Sequence, residues 1–191
     1  EYIGDDEKIT MEIVESIQWD RLDVESGFGD IFTGSFNDKQ LIKKVPRKVD
    51  LKRWKKEIQR SIVHSQARTG PKVFYASTHP SLIVMEKYDY DGFDIVERII
   101  QDPSSLENFK NVTANLIERL AACYMDHPEE SFCIGDFKLE NIVYKVMEGH
   151  GLVDARQIDF DFCPRIKPQT FTRTQYVLLL KFALTPNKPF Y

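Results

Sequence analysis

Asp136 and Asn141 stand five residues apart in Ile134-Gly135-Asp136-Phe137-Lys138-Leu139-Glu140-Asn141, and eighteen residues beyond Asn141 comes Ile158-Asp159-Phe160-Asp161. An Asp, an Asn five residues later and another Asp behind a β-hairpin are the groups that phosphoryl transfer needs. One carboxylate orients an attacking hydroxyl, while an amide and a second carboxylate hold magnesium against phosphates. Oxygen ligands suit that hard cation, and few are needed because phosphates and water supply the rest. Taken singly, each segment reads equally well as a turn or as the end of a core strand. Their order, spacing and apolar flanks together point to the chemistry.

With these residues in place the sequence resembles the protein-kinase family over Leu22 to Leu184. The resemblance makes Asp136 the catalytic-loop Asp, and Asn141 and Asp159 the magnesium ligands. Lys138, two residues after the Asp, resembles the serine/threonine branch, where its charge supports the transferring phosphate. Small-molecule kinases of the aminoglycoside and choline type share the Gly-Asp loop and the Ile-Asp-Phe motif but not usually this Lys. Upstream, Leu41-Ile42-Lys43 occupies the place of the family's Val-Ala-Ile-Lys. Strand alternation puts Leu41 and Lys43 on one face, so Lys43 is expected at the phosphates and Leu41 at the adenine. The neighbouring Lys44 is the rival; choosing it turns Lys43 toward the core, which is costly. Glu57, fourteen residues after Lys43, is expected to pair with that Lys. Gly27, Gly29 and Ile31 fit the second half of a glycine-rich loop, with Val24 and Ser26 where its first glycines usually stand. Met85 is expected as gatekeeper, with the backbones of Glu86 and Tyr88 meeting the adenine edge.

Beyond the glycine-rich loop, the family pattern is broken at three places. Ile134-Gly135 replaces His-Arg, so control by phosphorylation of an activation loop is not expected. Asp161 replaces a Gly, as in the small-molecule kinases. Only 32 residues follow Asp159 and none spell Ala-Pro-Glu, which resembles truncated kinases of some viruses and bacterial effectors. The implied fold is α+β and two-lobed: a small antiparallel N-lobe sheet with one helix, and a truncated, mostly helical C-lobe. The expected divisions are an extension over 1–21, an N-lobe and hinge over 22–88, and a C-lobe over 89–191. The implied cofactors are ATP and Mg2+, and the implied partners a protein substrate and an activating protein, in a cytoplasm (the host's, for a viral or effector protein). A small-molecule kinase and a pseudokinase-like binding module are the alternatives.

The elements that must position these residues are legible in the pattern. Ile31–Phe36 and Gln40–Val45 flank Asn37-Asp38-Lys39, which predicts a hairpin. Asp50 caps a helix running to about Gln66, with Leu51, Trp54, Ile58, Ser61 and Ile62 as its stripe. Strands are predicted at Val73–Ala76, Leu82–Met85, Ile142–Val146 and Ala155–Ile158. Helices are predicted at Met11–Trp19, Phe93–Ile100, Leu106–Met125 and Thr174–Leu184. A 42% hydrophobic and 29% charged composition is that of a globular domain, and a net charge of −4 gives no global field for nucleic acid. Cys123, Cys133 and Cys163 form no CxxC pair, the four histidines lack metal-ligand spacing, and no apolar run is long enough to cross a membrane.

Overall fold

The computed structural model describes residues 1–4, 8–23, 29–48, 50–160 and 171–184. Val24, Ser26, Gly27, Asp161 and Cys163 therefore lie outside the described residues. The chain divides into two compact units, Glu1–Gln66 with Pro71–Lys87, and Ala67–Gly70 with Tyr88–Tyr191.

The first unit is an antiparallel sheet of β1 (Tyr2–Ile3), β2 (Asp20–Arg21), β3 (Gly29–Phe36), β4 (Lys39–Pro46), β5 (Val73–Thr78) and β6 (Ser81–Glu86). Their order is β1-β5-β6-β4-β3-β2. Asn37 and Asp38, with φ of 48° and 61°, close the β3–β4 hairpin in the left-handed region that these two residue types tolerate. One face of the sheet packs on α1 (Met11–Ser16) through Ile9, Val14, Ile17, Leu41, Phe74 and Val84. The other packs on α2 (Leu51–Gln66) through Trp54, Val73, Ala76 and Ile83. Residues 1–21, expected as an extension, thus supply β1, α1 and β2 to this unit.

Asp50 caps α2 by accepting from the amides of Lys52 and Arg53. The buried side of α2 is rotated from the predicted stripe. Leu51 is exposed, and Trp54, Glu57, Ser61 and His64 are buried. The Trp54 indole N–H donates to the Ser77 carbonyl at 3.0 Å, which fixes that rotation beside the apolar packing.

The second unit holds a sheet of β7 (Tyr90–Asp91), β8 (Ile142–Met147) and β9 (Gly151–Gln157), in that order. It also holds α3 (Gly92–Gln101), α4 (Leu106–Asp126) and α5 (Arg173–Ala183). Leu116, Leu120, Tyr124, Ile142, Tyr144, Ala155, Tyr176 and Leu180 form its core. The Tyr144 hydroxyl, pushed up to about 12 by burial, is hydrogen-bonded to Thr113 at 3.0 Å. β9 begins four residues before its predicted start because Asn108 brackets Leu152, donating to its carbonyl and accepting from its amide. No helix among the described residues is long and apolar enough to cross a membrane.

Candidate active site

In the first unit the buried cation is Lys44. Its Nζ lies 2.7 Å from Glu57 Oε1, and both side chains are more than nine-tenths buried. Register explains the choice. Lys44 pairs with Ile83 and Ile31, and Ile42 with Met85, and Ile83 and Met85 face α2. Leu41, Lys43 and Val45 take the opposite face, against α1.

Two expectations are corrected here. Lys43 does not meet Glu57; its ammonium sits 4.6 Å from the Trp19 ring centroid and 4.7 Å from that of Phe32. Those ring faces offset the desolvation that lowers its pKa. Leu41 is fully buried in the α1 cluster, away from the Lys44 face, on which its neighbour Ile42 lies instead. Ile31 and Met85 lie on the Lys44 face. Gly29 is needed for close strand approach, since a Cβ there would lie 2.8 Å from the Val45 carbonyl oxygen. The Glu86 amide donates to the Lys72 carbonyl at 2.8 Å.

The second unit brings Asp136, Lys138, Asn141 and Asp159 together. A 3-10 segment, Pro128–Asp136, delivers Asp136, and a second, Leu139–Asn141, delivers Asn141 directly before β8. Asn141 Nδ2 donates to the Asp136 carbonyl at 3.0 Å and to Asp136 Oδ2 at 2.8 Å. Both amide hydrogens are thereby engaged, leaving Asn141 Oδ1 as an acceptor. The Ile158 amide donates to the Asn141 carbonyl at 2.8 Å, which fixes the backbone entering Asp159. Asp159 is exposed, with φ of 65°. Lys138 Nζ lies 3.6 Å from Asp136 Oδ1 and pairs also with Glu140. That contact with Glu140 raises the Lys138 pKa, holding it charged. Burial pushes the Asp136 carboxyl above its ordinary value; Lys138 opposes this and the Asp159 charge adds to it.

Among the described residues no group of three His, Cys, Asp or Glu side chains could hold a metal ion alone. The oxygens of Asn141 Oδ1 and the Asp159 carboxylate suit magnesium as part of a set completed by phosphate and water.

Three features were missed in the sequence. The Tyr88 hydroxyl donates to Asp154 Oδ2 at 2.9 Å and accepts from Arg156 Nε, so its side chain is committed to β9. Asp91 caps α3 in a reciprocal capping box with Asp94. Gly92, the first residue of α3, lies against the turn that carries Asn141. A Cβ at Gly92 would sit 2.2 Å from the Leu139 carbonyl oxygen. Asp91-Gly92 before an amphipathic run was the available signal. Gly92→Ala is expected to destabilise the fold by about 1–3 kcal/mol, against the usual sign for Gly→Ala in a helix. Thermal unfolding beside the exposed neighbour Phe93→Ala, expected within about 0.5 kcal/mol of wild type, checks it.

No protein-family model matches the chain, and no curated protein matches it. One similar solved structure is described as WaaP in complex with acyl carrier protein. It shares 17% identity over 91% of this chain and 72% of that one, with a TM-score of 0.43. A likeness this distant assigns neither fold nor chemistry.

Proposed function

We propose that this chain is a kinase-like phosphotransferase that passes the γ-phosphoryl group of ATP to a Ser or Thr hydroxyl of a protein. The observation that carries the reading is the Asp136–Asn141–Lys138 arrangement, with Asp159 close enough to perturb Asp136.

Asn141 holds Oδ2 of Asp136, which leaves Oδ1 to orient the acceptor hydroxyl and take its proton. The hydroxyl oxygen forms a bond to the γ-phosphorus as the bond from that phosphorus to ADP breaks. Lys138, beside Oδ1, balances charge on the transferring group. Lys44, fixed by Glu57, is assigned to the phosphates, and Ile31, Ile42 and Met85 on its face to the adenine. Asn141 and Asp159 would hold magnesium, which neutralises phosphate charge when bound. The setting is cytoplasmic, where ATP and protein acceptors meet.

The test is transfer of labelled γ-phosphate to a generic protein acceptor, with and without magnesium, in wild type and Asp159→Asn. Magnesium-dependent label on Ser or Thr, strongly reduced in Asp159→Asn, is expected. Nucleotide binding with no label on protein would assign a small-molecule acceptor instead. No nucleotide binding would overturn the reading in favour of a binding module.

A further inference from the structure

The outward face of α2 breaks the rules that make a solvated helix stable. Lys52, Lys55 and Lys56 are exposed, the latter two standing three and four residues after Lys52, with exposed Lys48 just before the helix. None of the four has an ion-pair partner among the described residues. Acids at such spacings normally relieve a basic stripe. Here the only acid in α2 is Glu57, which is buried with Lys44. The first turn of α2 contains no acidic residue, and Asp50 at its N-cap is the one acid beside Lys52 and Arg53. A run of exposed lysines that oppose one another with no ion-pair partner among the described residues marks a surface with another use.

We propose that this face of α2 is a docking surface for an acidic protein segment. Charge distribution selects that occupant. Arg47 to Arg60 carries seven cationic residues against Asp50 and Glu57, a net +5 in a chain of net −4, which leaves −9 for the remainder. An extended polyanion, such as a nucleic acid or an anionic membrane, meets that acidic remainder as well as the patch. A short acidic segment laid along α2 meets the patch alone, because salt screens the rest beyond about 8–10 Å. Leu51 is the only exposed large apolar residue in α2, so a membrane would find little to insert. The docking surface stands apart from the phosphotransfer reading and uses none of its residues.

The experiment titrates the whole chain into a fluorescent peptide of Glu and Asp, about eight residues long, the extended length that matches α2. Anisotropy is followed at low and at physiological salt. Binding is expected, weakened by salt and weakened about tenfold or more in Lys52→Glu/Lys55→Glu/Lys56→Glu. Lys110→Glu, which removes a lysine of α4, is expected to bind as wild type. The triple variant is also expected to melt at a higher temperature, because it removes the repulsion; the triple Gln variant supplies the same comparison without charge reversal. Absence of binding, or binding by both triple variants as tight as that of wild type, overturns the proposal. Tighter, lysine-dependent binding to phosphatidylserine vesicles or to a single-stranded oligonucleotide overturns the choice of an acidic protein segment.

Discussion

Replacing Lys44 by Met is expected to destabilise the fold by about 3–5 kcal/mol, because it strands the Glu57 carboxylate without its cation in a buried site. The pair contributes much less than that as a unit. Removing both charges with groups of similar volume, in Lys44→Met/Glu57→Leu, should recover most of the loss, since desolvation of two ions offsets much of their attraction. Lys43→Met tests the opposite face. It forgoes the contacts with Trp19 and Phe32, worth about 1 kcal/mol, and relieves a partly desolvated ammonium. Unfolding of the four proteins in urea therefore ranks Lys44→Met far below the others. Equal losses for Lys43→Met and Lys44→Met would refute the assignment. On the phosphotransferase reading, Lys44→Met/Glu57→Leu remains folded yet loses turnover, which separates the role at the phosphates from the role in stability.

The choice between Lys43 and Lys44 shows where sequence reasoning ran out. Alternation along β4 was legible, and so was the need for one Lys to face Glu57. The parity of that alternation was not, because it depends on what covers each side of the sheet. Ile9, Val14 and Ile17 cover one side, and their apolar demand draws Leu41 and Val45 and carries Lys43 with them. Reading the first 21 residues as an extension removed that cover from consideration. A one-residue change of parity then reverses every assignment on the strand.

Other elements were legible because their signals are local. Asn37-Asp38 between β-rich runs and the Asp50 cap both appear as expected. So does the clustering of Asp136, Lys138 and Asn141, which five residues of a tight loop almost oblige. The seat of that loop against Gly92 joins residues some fifty apart in the chain, and nothing in either segment alone announces it.

The largest loss of activity is expected at Asp136. Asp136→Ala removes the group that orients the acceptor and takes its proton, a contribution of about a hundred- to ten-thousand-fold in turnover. It also removes one of the two acceptors of Asn141 Nδ2, so Asp136→Asn, which retains an oxygen for that hydrogen bond, is the cleaner variant. The pH profile identifies the role. A proton acceptor works only when ionised, so turnover falls as pH drops through the Asp136 pKa. Burial places that pKa above the ordinary carboxylate value. The acid limb of kcat/KM, which reports the free enzyme, should therefore lie above that value. Lys138 lowers the Asp136 pKa, so Lys138→Met should carry the limb to higher pH while also reducing turnover. Asp159 raises it, so the residual activity of Asp159→Asn should show the limb at lower pH. A limb that ignores both charges would mean that the titrating group is not Asp136, whatever Asp136→Asn does to the rate.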